Sequence, residues 1–305
     1  MIYAAWLTWL LPLLSVPFVP LVGKLGGRLR GLFAVAVGGT SLAMATYLAL
    51  TFTSASTDSA SIWLPSMSIP LEVKVDALSS IVSVFVAFVS FLVIVYSVGY
   101  MEKEGGEGLS RYYSLILLFI GAMLGLVMSG NLIQFYFFWE VMGVCSALLI
   151  AFWSDREAAR KAGLKAFVVT RIGDAALLLA VIFAWSLFGT TSFDAFASHS
   201  TQLSGLSGGN VLILGTLVLI GAMGKSAQVP LHGWLPDAME GPTTVSALIH
   251  AATMVNAGVF LMVRMLPLFQ LSQLLLSLVL FVGLLSALVG GVCAFAAEDL
   301  KRVLA

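Results

Sequence analysis

Charge is what this chain has least of. Asp, Glu, Lys and Arg make up 10% of its 305 residues while 60% are hydrophobic, against about 25% and about 45 to 50% in a soluble globular domain. That balance excludes an ordinary water-soluble fold and points to a polytopic membrane protein. With a formal net charge of zero and no basic stripe, a nucleic-acid partner is excluded as well. Cysteine is scarce too. Cys145 and Cys293 both fall inside apolar runs, with no C-x-x-C and no Cys/His cluster, so a disulfide frame, a zinc site and an iron–sulfur site are not expected. Both read as packing residues. The first residues, Met1 to Trp6, lack the positive n-region of a secretory signal, and their apolar stretch runs on to Val22, so this segment reads as a span.

What is present is a series of long apolar runs. A helix needs about 20 apolar residues to cross a hydrocarbon core roughly 30 Å thick. By that measure spans are expected near 1–22, 31–53, 78–100, 112–128, 131–152, 162–188, 209–229, 242–266 and 272–296. The fold class is therefore all-α, a polytopic membrane helix bundle of about nine transmembrane helices. The connections test the count independently, because Lys and Arg concentrate on the cytoplasmic side. Of the 15 Lys and Arg, 11 lie in alternate connections: Lys24, Arg28, Arg30, Lys103, Arg111, Arg156, Arg160, Lys161, Lys165, Lys301 and Arg302. The opposite side carries Lys74. This asymmetry predicts an N-terminus outside and a C-terminus in the cytoplasm of a multi-pass protein of the cell (inner) membrane.

The other three basic residues, Arg171, Lys225 and Arg264, fall inside spans. Arg264 is close to the outer end of its helix, from where it is expected to snorkel to the headgroups. A charge at the bilayer centre costs roughly 2.5 to 3.5 kcal/mol on insertion scales, so such residues pair with one another or line an ion path. Glu140 and Asp174 are the intramembrane acids, and His250 is the histidine deepest in a span. Glu140 is nine residues into its helix, about 13 Å deep at 1.5 Å per residue. Arg171 and Asp174 are three apart on one helix face and can neutralise each other. Lys225 is then the natural partner for Glu140. His250, at comparable depth, could accept a proton from that pair through water, and an imidazole titrates near neutrality.

Pro230 adds a backbone argument. It has no N–H for the carbonyl of Ser226, and its ring clashes there, so the helix carrying Lys225 is expected to be discontinuous near Pro230. Broken helices at membrane depth line wet cavities and build ion sites. Ser226, His232 and Asp237 are further candidates beside the break, and the polar stretch from Leu231 to Pro242, which includes Glu240, is expected to form a short half-helix or a solvated loop. Gly224-Lys225-Ser226 is not a phosphate-binding loop, because Leu219 stands where that motif needs glycine. Gly121 and Gly125 form a small-xxx-small helix contact. The aromatics from Phe135 to Trp139 read as lipid-facing or packing residues, and His199 as exposed in a Ser/Gly-rich outer loop.

The stretch Gly224-Lys-Ser-Ala-Gln-Val-Pro-Leu-His-Gly-Trp-Leu-Pro-Asp-Ala-Met-Glu-Gly-Pro-Thr-Thr-Val-Ser-Ala-Leu-Ile-His-Ala-Ala-Thr-Met-Val255 resembles the signature of the antiporter-like subunits of respiratory complex I. Trp-Leu-Pro-Asp-Ala-Met-Glu-Gly-Pro-Thr and His250-Ala-Ala-Thr-Met-Val are most similar to the large L-type, or mitochondrial subunit 5 type. Asn131 to Glu140, Lys165 to Asp174 and Asp299 to Ala305 fit the same family. The resemblance implies that Glu140 and Lys225 are the family's intramembrane Glu/Lys pair, that Arg171 and Asp174 are the neighbouring ion pair, and that His250 belongs to a central polar axis. It also implies two inverted five-helix repeats. On that plan residues 1–110 are the N-terminal helices 1–3, 111–266 one antiporter-like repeat, and 267–305 the start of a second repeat that is missing here with its lysines, as in a fragment, a split subunit or a truncated relative.

The expected function is a proton-translocating membrane subunit of an NADH:quinone oxidoreductase, with proton transfer through Glu140, Lys225, His250, Arg171 and Asp174, no redox chemistry and no cofactor or metal in this chain. Its expected partners are the lipid bilayer, protons, other membrane subunits of a complex I-like assembly, and dehydrogenase and quinone-site subunits. When Lys225 is paired its charged form is favoured, and when the pair separates desolvation drives the proton on. The alternatives are a subunit of a sodium/proton antiporter or of a related membrane-bound hydrogenase, and a non-conducting scaffold.

Overall fold

The computed structural model describes residues 2–64, 69–104, 108–197, 201–251 and 253–305; His199 lies outside them. The chain opens with α1 (Ile2–Ser15), α2 (Phe18–Leu25) and α3 (Gly27–Thr51), then a hairpin of β1 (Ser56–Leu64) and β2 (Ile69–Val75). Four long helices follow: α4 (Ala77–Lys103), α5 (Leu109–Met128), α6 (Leu132–Ile150) and α7 (Glu157–Phe188). After the short α8 (Thr201–Ser204) come α9 (Gly208–Lys225), α10 (Thr243–Ala251), α11 (Met254–Arg264), α12 (Leu266–Gln270), α13 (Gln273–Ala296) and α14 (Leu300–Leu304). Among the described residues eight helical segments are long and apolar enough to cross a membrane, and α1 with α2, bent by 58°, makes nine. The first span is thus kinked at Val16 and Pro17, since proline cannot donate to the preceding turn.

Local sequence sets these boundaries. Asp76 caps α4 by accepting from the Ser79 N–H at 2.8 Å while Ser79 Oγ accepts from the Asp76 N–H at 2.9 Å, a capping box. Asn131 caps α6 through a 2.9 Å bond from the Gln134 N–H, and Ser207 starts α9 in the same way. A helix apolar on all sides has to be enclosed, and in α5 every residue from Phe119 to Met128 is buried. Gly121 lies against Leu13 of α1 and Gly125 against the Phe138 ring of α6. The small-xxx-small pair therefore makes two close contacts with two different helices.

The hairpin was not foreseen from the apolar runs. β1 and β2 pair antiparallel with Ser56 opposite Val75, and Val73 bridges to Ser129 just before α6. It lies at the end of the bundle opposite the basic connections. There Arg30 bonds Ser110 at 2.9 Å, Arg111 donates to the Phe152 carbonyl at 2.7 Å, Lys165 pairs with Asp237 at 2.6 Å and Arg302 with Glu240 at 3.1 Å. Lys74 stands at the hairpin end, paired with Asp194.

Two side chains are placed differently from the sequence expectation, and one stretch takes the looped of its two expected forms. Arg264 does not snorkel: it pairs with Asp76, and its guanidinium lies 5.1 Å from the Phe260 ring centre and 5.5 Å from that of Phe193. A fixed carboxylate at the N-terminus of α4 holds a guanidinium more firmly than a mobile interface does. Cys145 is buried, but Cys293 faces outward from α13 rather than packing. The stretch after Lys225 is a series of turns ending in a 3-10 turn at Asp237–Glu240, not a half-helix.

Candidate proton-transfer site

The site is built where α6, α7 and α9 cross. α9 ends at Lys225 itself, five residues before Pro230, in a compact cap. Ser226 N–H donates to the Ala222 carbonyl at 2.9 Å and Gln228 N–H to the Met223 carbonyl at 3.0 Å, around Ala227 at φ 50°. This is the six-to-one bond and left-handed residue of a Schellman ending. The Gly224 carbonyl is taken instead by the indole N–H of Trp234 at 3.1 Å. The break therefore leaves these last carbonyls satisfied and puts Lys225 at a rigid helix terminus, where the partial negative charge of the helix end favours a cation.

Glycine brings the helices together. A Cβ on Gly173 would fall 2.9 Å from the Cα of Gly224, and one on Gly224 would fall 3.0 Å from the Cα of Gly173. Because Gly173 precedes Asp174 and Gly224 precedes Lys225, this backbone contact delivers the carboxylate to the ammonium. Lys225 Nζ donates to Asp174 Oδ2 at 3.2 Å, with the two side chains 0% and 1% exposed. Asp174 Oδ1 accepts from the Trp139 indole N–H at 2.6 Å, and Lys225 Nζ lies 5.6 Å from the centre of that ring.

The second pair is Arg171 with Glu140. Arg171 also approaches Asp174 at 3.6 Å, which joins all four charges. The pairing expected from depth is thereby corrected: Glu140 is held by Arg171, and Lys225 by Asp174. Rise along a helix fixes depth but not azimuth, and the Gly173–Gly224 contact turns Asp174, not Glu140, towards Lys225. The two pairs also differ in access. The Arg171 and Glu140 side chains are 28% and 23% exposed, so this pair borders the outside of the bundle while the Lys225 pair is sealed within it. Glu140 Oε1 and Arg171 Nε are buried without a partner.

The remaining candidates lie around this centre. Ser226 Oγ donates to the Val255 carbonyl at 2.7 Å, tying the end of α9 to α11. His232 lines a cavity of about 560 Å³ with Ser226, Gln228, Ser286 and Arg302, and its Nδ1 is buried without a partner. Asp237 pairs with Lys165, away from the centre. His250 is in the last turn of α10, and Thr253, at φ −124° and ψ −95°, is non-helical ahead of α11, a second discontinuity besides the one near Pro230. Thr253 Oγ1 donates to the Leu248 carbonyl at 2.5 Å and Asn256 Nδ2 to the Ala251 carbonyl at 2.9 Å. The imidazole, its Nε2 unpartnered, lines a pocket of about 170 Å³ with Ser246, Met239 and Lys301 and touches none of the four charges.

Trp139 and Gly143 are the site residues that sequence reasoning passed over. A signal existed. Trp139 adjoins Glu140 and Gly143 follows it by three positions, one turn along the same face.

Comparison with known proteins agrees with this fold. Residues 129–305 match the family model described as NADH:quinone oxidoreductase/Mrp antiporter, TM. Residues 63–113 match that of NADH-Ubiquinone oxidoreductase (complex I), chain 5 N-terminus. The chain is 47% identical over 248 residues to NAD(P)H-quinone oxidoreductase subunit 5, chloroplastic, of Chaetosphaeridium globosum, covering 80% of this chain and 37% of that one. It is 40% identical over 324 residues to NAD(P)H-quinone oxidoreductase chain 5 of a Picosynechococcus species, covering 99% of this chain and 47% of the relative. The chain thus spans a third to a half of the length of these relatives. Among solved structures, the Mrp complex from Dietzia sp. DQ12-45-1b superposes with a TM-score of 0.88 at 29% identity, over 98% of this chain and 32% of that one.

Proposed function

Because the chain belongs to the NADH:quinone oxidoreductase/Mrp antiporter transmembrane family, as an antiporter-like subunit of the L or 5 type, we propose that it moves protons across the membrane through the Glu140, Arg171, Asp174 and Lys225 centre. The observation that carries this reading is the wholly buried Lys225 at the end of a broken helix, held by Asp174 at 3.2 Å. A lysine beside a carboxylate keeps its proton, and one drawn away from it in dry surroundings gives it up. Arg171 lies between the two acids, so a movement of Glu140 or Arg171 at the edge of the bundle alters the field at Asp174 and hence at Lys225. The same edge supports a partner surface. Two ionised groups about a quarter exposed at mid-span would face lipid at a cost of a few kcal/mol each, and a neighbouring membrane subunit removes that cost.

The cavity of about 560 Å³ that reaches Ser226 and His232 opens beside the basic connections and supplies water to the end of α9. By the positive-inside rule this is the cytoplasmic side. The onward route runs past the Ser226 contact with α11 to His250. Redox chemistry belongs to dehydrogenase and quinone-site partners, and this chain transfers protons without a cofactor or metal of its own.

The test is proton pumping by the parent assembly in sealed vesicles supplied with NADH and quinone. Lys225→Ala, Asp174→Asn and Glu140→Gln should each abolish pumping with membrane insertion and assembly intact. Asp174→Asn should be at least as severe as Glu140→Gln, because it strips the sealed lysine of its direct partner. Normal pumping by Lys225→Ala at normal protein level removes the centre from the mechanism. The likeness to the Mrp complex favours a second reading, cation/proton exchange without redox chemistry. Sodium-dependent pH changes in the same vesicles without NADH would establish it.

A further inference from the structure

Glycine weakens a helix interior relative to alanine, yet Gly143 sits in the middle of α6, with no turn or positive φ to need it. Its surroundings supply the reason. A Cβ built on Gly143 would overlap Lys225 Nζ, lie 3.7 Å from Lys225 Cε and come within 3.2 Å of Arg171 Nη2. The space where a side chain would stand is thus bordered by both cations of the centre, and Gly143 lies one turn beyond Glu140 on the same face. No other glycine for which close neighbours are described meets the ammonium of Lys225. Lys225 is itself wholly buried and anchored at the capped end of α9.

We propose that Gly143 is a positioning residue of this centre: by lacking a side chain it makes the seat in which the Lys225 ammonium lies against Asp174 and is kept apart from Arg171. The proposal rests on the proton-transfer reading above. A methyl group at this position lifts Nζ off its seat by on the order of 1 Å, to ordinary van der Waals separation, and so weakens the contact with Asp174. The obstructing atom is the far end of a flexible side chain rather than backbone, so the helices need not move. The effect falls on the charge geometry and not on the fold.

The experiment compares Gly143→Ala, Lys225→Ala and Gly125→Ala in the full-length protein within its native assembly, reading proton transfer against pH, assembled amount and thermal stability. Gly125→Ala is the packing control, since the nearest atoms its Cβ would meet are those of the Phe138 ring, at 2.7 to 2.9 Å. Gly143→Ala should lower proton transfer by on the order of 10²-fold, as a misplacement of about 1 Å does, at unchanged assembly. It should also move the alkaline limb of the pH profile to lower pH, because an ammonium further from its carboxylate loses its proton sooner. Wild-type transfer with a wild-type pH profile would overturn the proposal. So would a loss of transfer that follows loss of assembly, as in Gly125→Ala, with the pH profile unmoved. If Lys225→Ala is inactive while Gly143→Ala is normal, this proposal alone fails; if Lys225→Ala also transfers protons normally, the parent reading fails with it.

Discussion

At the scale of the residue, Trp139 shows how an aromatic side chain enters an electrostatic site. Its indole N–H donates to Asp174 Oδ1 at 2.6 Å while the other oxygen of that carboxylate takes Lys225. Both halves of the carboxylate are thus occupied, which fixes its orientation in a place water does not reach. A hydrogen bond to a charged group contributes about 1.5 to 3 kcal/mol, and losing one partner leaves the other unsatisfied. Trp139→Phe keeps the ring and removes the donor, so proton transfer should fall by about tenfold or more while the thermal stability of the assembly changes little. Transfer at the wild-type rate would show that Asp174 does not need this donor. The sequence marked Glu140, Arg171, Asp174 and Lys225 because charges inside apolar runs are conspicuous. It did not mark Trp139, because an aromatic in a membrane helix is ordinary; its place next to Glu140 put it near the site, and contact then showed which group its N–H meets.

At the scale of the element, the hairpin controls where α6 begins. The Glu72 N–H in β2 donates to Gln134 Oε1 at 2.9 Å, and Glu72 Oε1 accepts from Asn131 Nδ2 at 3.0 Å. Gly130 lies so close that a Cβ there would fall 2.5 Å from Glu72 Cγ. Burial pushes the Glu72 carboxyl above its ordinary value, the Asn131 bond opposes this, nearby Asp194 adds to it and Lys74 opposes it. A carboxyl whose value is raised by folding contributes stability that is present below its unfolded value and is lost as pH rises through the folded one. The hairpin should therefore hold α6 less firmly as pH climbs from acid towards neutral, and Glu72→Gln should abolish that dependence. Hydrogen exchange of β2 and the first turn of α6 across this range checks it; an identical pH dependence in Glu72→Gln would assign the effect elsewhere. Asp76 behaves oppositely. Burial raises its value, but the charge of Arg264 and the Ser79 bonds outweigh it, so its contribution is present above the unfolded value and is lost as pH falls through the lowered one.

At the scale of the whole molecule, the two ends of the bundle differ in charge and in construction. One carries 11 of the 15 Lys and Arg and the cavity lined by Ser226 and His232. The other carries the hairpin and the part-buried Arg264–Asp76 pair. Single cysteines test the orientation in intact cells with a membrane-impermeant thiol reagent. Asp58→Cys, in strand β1 of the hairpin, should be modified from outside, and Arg156→Cys only after the membrane is opened. The reverse pattern would invert the orientation, and modification of both from one side would overturn the count of spans.

Sequence alone determined the membrane class, the span count, the charge asymmetry, the break after Lys225 and the identity of the four central charges. Each follows from composition or from order along one helix, where the cost of a charge or a proline is local. Which acid holds which base was decided only in three dimensions. Apolar periodicity is nearly absent from helices buried or lipid-covered on every side, so it does not report how they are rotated. Rotation was set by backbone contact at Gly173 and Gly224, and by the room that Gly143 leaves for an ammonium. The hairpin and the Arg264–Asp76 pair were likewise decided by tertiary contact, because the partners lie 188 residues apart and meet only once the helices have packed.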